Sequence, residues 1–234
     1  MIIISIRDNI LKIKENIDNT CLKTGRKNDV KIVAVTKYVS IDKILESLKY
    51  GIDDIGENKV QEFLKKVDHI QPKPNYHFIG HLQTNKVKYI YDKVDLIQSL
   101  DRIDLADELE KRANLADIRV NSLIQINISR ESTKFGIKEN EVFQFIEALQ
   151  NHKHLYVQGL MTIGSNTEDK AKIRSDFRKM YNLSERIKSK HYDRVSMDIL
   201  SMGMTDDYMI AIEEGSNMVR IGTGIFGERE KMGG

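Results

Sequence analysis

Eight strand-like segments alternate with helix-like ones along this chain, and no other feature restricts its fold as tightly. The strand-like segments are 31–37, 53–56, 76–80, 94–99, 120–128, 155–162, 196–201 and 218–222. They are short and mostly rich in Val, Ile, Leu and Met, as suits strands covered on both faces. Helix-like segments lie between them at 41–51, 58–69, 84–92, 102–116, 139–151, 168–190 and 205–215. Another helix is predicted over 4–24. Helix starts carry suitable caps, such as Ser40 before Ile41 and Thr205 before Asp206 and Asp207. Such alternation predicts a parallel sheet covered by helices. An open doubly wound sheet and a closed barrel both satisfy the pattern. The count of eight, in a chain of 234 residues, favours α/β architecture with a single (β/α)8 TIM barrel and an additional N-terminal helix, since barrels typically need about 250 residues. The acidic segment 53–56 is the weakest of the eight. In either arrangement, sites gather where strands end and loops begin.

Composition narrows the partners. Apolar residues make up 40% of the chain, enough for a sizeable core. With 37 basic and 35 acidic residues the net charge is +2, which gives no support for a nucleic-acid or membrane partner. A single cysteine, Cys21, excludes an intramolecular disulfide and fits a cytoplasmic protein, with the thiol packed as a small hydrophobe. The apolar start reaches Arg7 and Asp8 too soon for a signal peptide, and no run approaches the ~20 apolar residues of a membrane span. The only prolines are Pro72 and Pro74, and no stretch reads as a linker. One domain over 1–234 is therefore expected, and a monomer.

Four strand ends carry chemistry. Lys37 closes Lys31-Ile-Val-Ala-Val-Thr-Lys37. A lysine there has an apolar stem and an amine at a rim, a setting that can produce a nucleophile or a Schiff base; the bland alternative is a lysine reaching into water. Gly56-Glu-Asn58 follows the second strand. Ser201-Met-Gly203 and Gly222-Thr-Gly224 follow the seventh and eighth and look like phosphate-binding turns, where glycines let main-chain N–H groups approach an anion and the Ser and Thr hydroxyls add donors. Barrels commonly bind phosphate there, although ordinary turns would look similar. Gly222, Gly224 and Gly227 satisfy G-x-G-x-x-G, but only seven residues follow Gly227, so no βαβ unit opens there. Arg220, on the eighth strand, would disfavour protonation of a nearby heterocyclic nitrogen; alternatively it pairs with a buried carboxylate such as Asp198. An amine, an anion cradle and an arginine beside a ring together suggest pyridoxal 5′-phosphate.

At these residues the sequence resembles the pyridoxal-phosphate homeostasis proteins, the YggS/PROSC family. The matching motifs are Val33-Ala-Val-Thr-Lys37, Gly56-Glu-Asn58 with Val60-Gln-Glu62, and His77-Phe-Ile-Gly-His-Leu-Gln-Thr-Asn-Lys86. Lys134-Phe-Gly136, Gly159-Leu-Met-Thr162, Ser201-Met-Gly-Met-Thr-Asp206 and the stretch from Gly215 through Gly227 complete the series, in order along nearly the whole chain. The resemblance implies a barrel like the alanine racemase N-terminal domain, a fold type III pyridoxal-phosphate protein. It implies a covalent aldimine on Lys37. It also implies that Ser201, Gly203, Gly222 and Thr223 hold the phosphate, that Arg220 faces the ring nitrogen, and that Asn58 and Met202 lie around the cofactor. Departures are local: Lys59 stands where some members carry tyrosine, Gly224 where many carry alanine, and His81 where some carry proline.

Binding this cofactor does not establish catalysis. An arginine beside the ring nitrogen weakens the electron sink that a racemase needs. In alanine racemase a partner's second domain supplies the opposing tyrosine, and the chain ends about where such a domain would begin. A cofactor carrier serving vitamin B6 homeostasis is favoured over an amino-acid racemase, and apo pyridoxal-phosphate enzymes are candidate recipients. His77 and His81, four apart around Gly80, do not read as a helical zinc pair, and no metal site is expected. His152 and His154 read as surface residues at a helix end, Asp206 and Asp207 as the start of a helix, and 183–190 as a solvated face.

Overall fold

In this computed structural model, which describes residues 5–27, 29–131 and 133–228, the eight strands close on themselves. In chain order they are β1 (Lys31–Val35), β2 (Asp54–Glu57), β3 (Asn75–Phe78), β4 (Leu96–Leu100), β5 (Val120–Gln125), β6 (Leu155–Met161), β7 (Val195–Ser201) and β8 (Met218–Ile221). Each pairs in parallel with its sequence neighbours, and β1 pairs with β8 in the register Val33 to Arg220 and Ala34 to Ile221. The barrel, not the open sheet, is the architecture.

Helices α1 (Ile6–Thr24), α2 (Ile41–Lys49), α3 (Val60–Lys66), α4 (Ile103–Ala116), α5 (Val142–Leu149), α6 (Lys170–Lys188), α7 (Tyr208–Glu213) and α8 (Thr223–Phe226) surround it. The additional helix α1 starts where the Ser5 hydroxyl accepts the Asp8 N–H and stops at Gly25, whose left-handed φ of 67° a glycine adopts without steric cost. Its buried stripe of Ile6, Ile10, Ile13, Ile17 and Cys21 packs on the barrel's helical layer. Each fully buried isoleucine contributes roughly 1.5–3 kcal/mol. Asn9 donates to the Ile225 carbonyl and Asn16 to the Tyr208 hydroxyl, so α1 is tied to the two short helices α7 and α8.

Two apolar compartments result. Residues such as Ile44, Phe63, Leu109, Ile146 and Phe177 fill the layer between strands and helices. A smaller set, Val33, Leu96, Leu123, Met161 and Met218, fills the barrel interior with Ile199 packed against it.

Several expected boundaries move. β1 ends at Val35, so Lys37 lies in the turn beyond it. Segment 84–92 forms a 3₁₀ turn over Thr84–Tyr89 instead of an α-helix; Lys86 bonds back to Gln83 and Ile90 to Val87, three residues apart. Helix α7 begins at Tyr208, and Thr205 does not cap it. The Thr205 hydroxyl faces Thr223 and accepts the Gly224 N–H instead. His152, expected at the surface, is buried and contacts Asp107. In 183–190 the charges are exposed, but Leu183 and Ile187 belong to the core.

Candidate functional site

Parallel closure brings distant sequence segments to one mouth of the barrel. Because β1 lies between β8 and β2, the turn carrying Lys37 is flanked by Gly222 on one side and Asn58 on the other. A Cβ added to Gly222 would lie 3.4 Å from the Val35 Cβ, and the Thr36 N–H donates to the Gly56 carbonyl. The loops after β7 and β8 interlock through Thr205, whose hydroxyl lies 3.1 Å from that of Thr223. The Arg220 N–H donates to the Gly203 carbonyl, and Met202 is fully buried in the larger apolar cluster. All eight sequence-selected residues, Lys37, Asn58, Ser201, Met202, Gly203, Arg220, Gly222 and Thr223, therefore stand at the carboxyl ends of β1, β2, β7 and β8.

The Arg220 side chain points into the barrel. Its Nη1 donates to the Ser201 carbonyl at 2.9 Å and the Ser201 hydroxyl at 2.8 Å, and its Nη2 donates to the Thr162 carbonyl at 2.7 Å. Burial lowers its pKa to about 10, against the nearby Asp207 carboxylate, and it remains a cation at neutral pH. Asp198 is exposed on β7 and is not its partner. Asp207 is the nearer negative group. Burial pushes that carboxyl up, while the Met204 N–H and the Arg220 charge oppose the shift. Asp207 is thus the residue that starts α7, as its position suggested, but its side chain serves this loop and makes no capping bond.

The Ser201 hydroxyl departs from the expectation of a donor for an anion. It donates its one proton to Gln98 Oε1 at 2.7 Å, because an inward position on β7 aims it across the barrel. Gln98 is on β4, which does not neighbour β7, so this bond crosses the interior. The amide nitrogen of Gln98 contacts His77 Nδ1 at 2.8 Å, and His77 Nε2 contacts Asp54 Oδ1 at 2.9 Å. A single file of polar groups thus runs from Arg220 through Ser201, Gln98 and His77 to Asp54. Sequence reading missed Gln98 and its role. The available signal was a lone amide inside the apolar run Leu96-Ile-Gln-Ser-Leu100, where burial demands a polar partner.

The residues present fit a phosphorylated aldehyde. Gly222 has an ordinary negative φ of −111°, and a Cβ there would meet its neighbours only at van der Waals distance. Nothing in the protein's own packing demands glycine, so the absent side chain leaves a cradle beside the main chain. Asn58 Oδ1 is buried with no donor among the described residues, an acceptor that a ligand could satisfy. Gly80 fixes Asn58 from the other side, since a Cβ there would stand 2.1 Å from the Asn58 carbonyl oxygen. A primary amine, a buried guanidinium and two glycine-containing turns complete the set. Among the described residues no group of three or more His, Cys, Asp and Glu side chains is arranged to hold a metal, and no helix is long and apolar enough to cross a membrane.

Comparison with known proteins follows the same lines. The family described as "Alanine racemase, N-terminal domain" matches residues 9–230. A pyridoxal phosphate homeostasis protein of Aquifex aeolicus is 42% identical over 228 residues, covering 95% of this chain and 98% of that protein. A crystal structure of an unknown protein from Bifidobacterium adolescentis superposes with a TM-score of 0.88 at 32% identity, covering 94% of each chain. PipY of Synechococcus elongatus, solved with pyridoxal phosphate (PLP) bound, shares the fold at 24% identity and a TM-score of 0.82, covering 95% of this chain and 100% of its own.

Proposed function

The chain belongs to the pyridoxal phosphate homeostasis family, within the alanine racemase N-terminal domain fold, and from that premise we propose that it binds and carries pyridoxal 5′-phosphate at the mouth of its barrel. When bound, this cofactor supplies an aldehyde that condenses with a primary amine. Lys37 would hold it covalently through the side-chain nitrogen. Main-chain groups of Ser201, Gly203 and Gly222, with the Thr223 hydroxyl, would hold the phosphate. Asn58 and Met202 would line the ring, and Arg220 would keep a ring nitrogen unprotonated. The Ser201 hydroxyl, engaged with Gln98, would contribute through Arg220 and not to the anion directly.

One observation carries the reading: the cradle left at Gly222 opens beside Val35, two residues before Lys37. A phosphate gripped there holds an aldehyde within reach of that amine. The description of the sequence relatives as homeostasis proteins supports a carrier over a racemase. Residues 1–234 would act as one unit in the cytoplasm, with apo-enzymes as recipients.

The test is absorbance of the purified protein loaded with pyridoxal 5′-phosphate, then borohydride reduction and peptide mass mapping. A reducible imine band and a modified peptide containing Lys37, both absent in Lys37→Ala, are expected. Modification at another lysine, or none, would overturn the assignment. Turnover of single L-amino acids at enzyme rates in a chiral assay would overturn the carrier role.

A further inference from the structure

The two residues flanking Lys37 are tied to one buried ionic cluster. Lys66 Nζ donates to the Thr36 carbonyl at 2.7 Å, to Glu57 Oε1 at 2.7 Å and to Glu62 Oε1 at 2.8 Å. These three acceptors match the three protons of an ammonium. The Thr36 hydroxyl donates to the same Glu57 oxygen at 2.7 Å. On the far side of Lys37, the Tyr38 N–H donates to the same Glu62 oxygen that Lys66 contacts. Lys66 is 9% exposed and Glu57 2%.

Two physical points give this cluster a role beyond filling space. Tyr38 has a φ of 63°, a left-handed conformation that costs a non-glycine residue roughly 1–2 kcal/mol and persists only where surroundings impose it. Here Glu62 accepts the Tyr38 N–H, beside the turn bond from the Val39 N–H to the Thr36 carbonyl. Burying one cation between two carboxylates is also a poor way to gain stability, because apolar residues of similar volume usually do as well. Burial pushes the Glu57 carboxyl up against the opposing pull of Lys66 and Thr36, and Glu57 Oε2 has no donor among the described residues. Two of these bonds, Lys66 to the Thr36 carbonyl and the Tyr38 N–H to Glu62, hold α3 to the backbone on either side of Lys37, and the others tie Lys66 and Thr36 to Glu57 and Lys66 to Glu62.

Resting on the reading of Lys37 given above, we propose that Lys66 and Glu62 are positioning residues for Lys37, fixing the Thr36–Tyr38 turn so that its amine meets the aldehyde of the phosphorylated ligand. In the step they serve, the Lys37 nitrogen bonds to the aldehyde carbon. The carbon–oxygen bond breaks, and the oxygen leaves as water with the two protons of the neutral amine, so that a carbon–nitrogen double bond remains. Among the described residues, the bonds of Lys66, Glu57 and Glu62 run to β1, β2 and α3 and not to the turns after β7 and β8, so the cluster acts on the covalent step and not on the grip of the anion.

Two ligands separate these effects. Pyridoxal 5′-phosphate can condense with an amine; pyridoxine 5′-phosphate, with an alcohol in place of the aldehyde, cannot. Calorimetric affinities for both, and the rate of borohydride trapping at Lys37, are measured for wild type, Lys66→Met, Glu62→Leu and Glu62→Gln. Lys66→Met and Glu62→Leu should slow trapping and weaken aldehyde binding tenfold or more while alcohol binding stays within twofold. Glu62→Gln keeps an acceptor for the Tyr38 N–H and should recover most of the Glu62→Leu loss. Equal losses for both ligands, or none, would overturn the proposal and leave the cofactor reading standing. Wild type that binds both ligands alike and never traps at Lys37 would overturn that reading and this proposal with it. If Lys66→Met fails to fold, the Glu62 pair, at a less buried position, decides the matter alone.

Discussion

His77 and Gln98 meet inside the barrel, ring Nδ1 to amide nitrogen at 2.8 Å, and that contact fixes the direction of a hydrogen-bonded file. Arginine only donates, so the Ser201 hydroxyl accepts from Arg220 and gives its own proton to the Gln98 oxygen. The Gln98 nitrogen must then donate to His77 Nδ1, and His77 Nε2 must donate to Asp54. Nitrogen-15 NMR of the neutral ring should therefore report the Nε2–H tautomer. An Nδ1–H signal would mean that the file runs differently.

Gln98→Leu should damage the fold from its centre. It removes the acceptor for the Ser201 hydroxyl proton and the donor for His77 Nδ1, leaving one buried donor and one buried acceptor unsatisfied although Ser201 keeps Arg220 and His77 keeps Asp54. Each such group costs about 1–3 kcal/mol, so urea unfolding should show a loss of about 2–4 kcal/mol. The same variant frees Ser201 beneath Arg220, and any absorption band of bound cofactor should shift. A change under about 0.5 kcal/mol would place no weight on the file.

At the other end of the file, Asp54 links stability to pH. Burial alone pushes its carboxyl up, but the hydrogen bond from His77, with Lys31 and Asn75, holds it below the usual aspartate value. A carboxyl lowered on folding adds stability above its unfolded pKa of about 3.9, and that stability is lost as pH falls through the lower folded value. Asp54→Asn should thus cost about 1–2 kcal/mol near neutrality. The gap from wild type should close below about pH 4. A gap that persists or widens in acid would contradict the assigned direction.

The order of elements was legible because a short, mostly apolar run followed by a helical period repeats seven times before an eighth strand-like run. The ends of elements were less so. Lys37 reads as the end of its strand, yet the sheet stops at Val35 because Thr36 is captured by Glu57 and Lys66, residues 21 and 30 positions away. Thr205 reads as a cap but serves the β8 loop, a contact that exists only once β7 and β8 are neighbours. The site's backbone turns were visible as glycine spacings. Its interior wiring was not, since Gln98 and Ser201 meet only across a closed barrel. Asp198 looks suited to pair with Arg220 in a linear chain, and only its exposed place on β7 removes it in favour of Asp207, which read as part of a helix start.

Gly80 and Gly222 both line this mouth but for opposite reasons. At Gly80 a Cβ would meet the Asn58 carbonyl oxygen at 2.1 Å and its carbon at 2.7 Å, both main-chain atoms with no flexible end to yield. Gly80→Ala should force the loops after β2 and β3 apart and cost about 1–3 kcal/mol, the usual range for overpacking. Chemical denaturation measures it. An unaltered midpoint would show that the two loops part freely.

Gly222→Ala should do the reverse. The new methyl would touch Val35 at 3.4 Å, with its carbonyl oxygen at 3.6 Å, ordinary contacts, and alanine tolerates a φ of −111°. Stability should change by less than about 0.5 kcal/mol. The methyl would, however, occupy the space through which an anion approaches the main chain. Affinity for pyridoxine 5′-phosphate, which reports the anion grip without the covalent bond, should fall about tenfold or more, roughly 1.4 kcal/mol. Unchanged affinity in a stably folded Gly222→Ala protein would move the anion away from the β8 turn and leave the cradle there without a ligand.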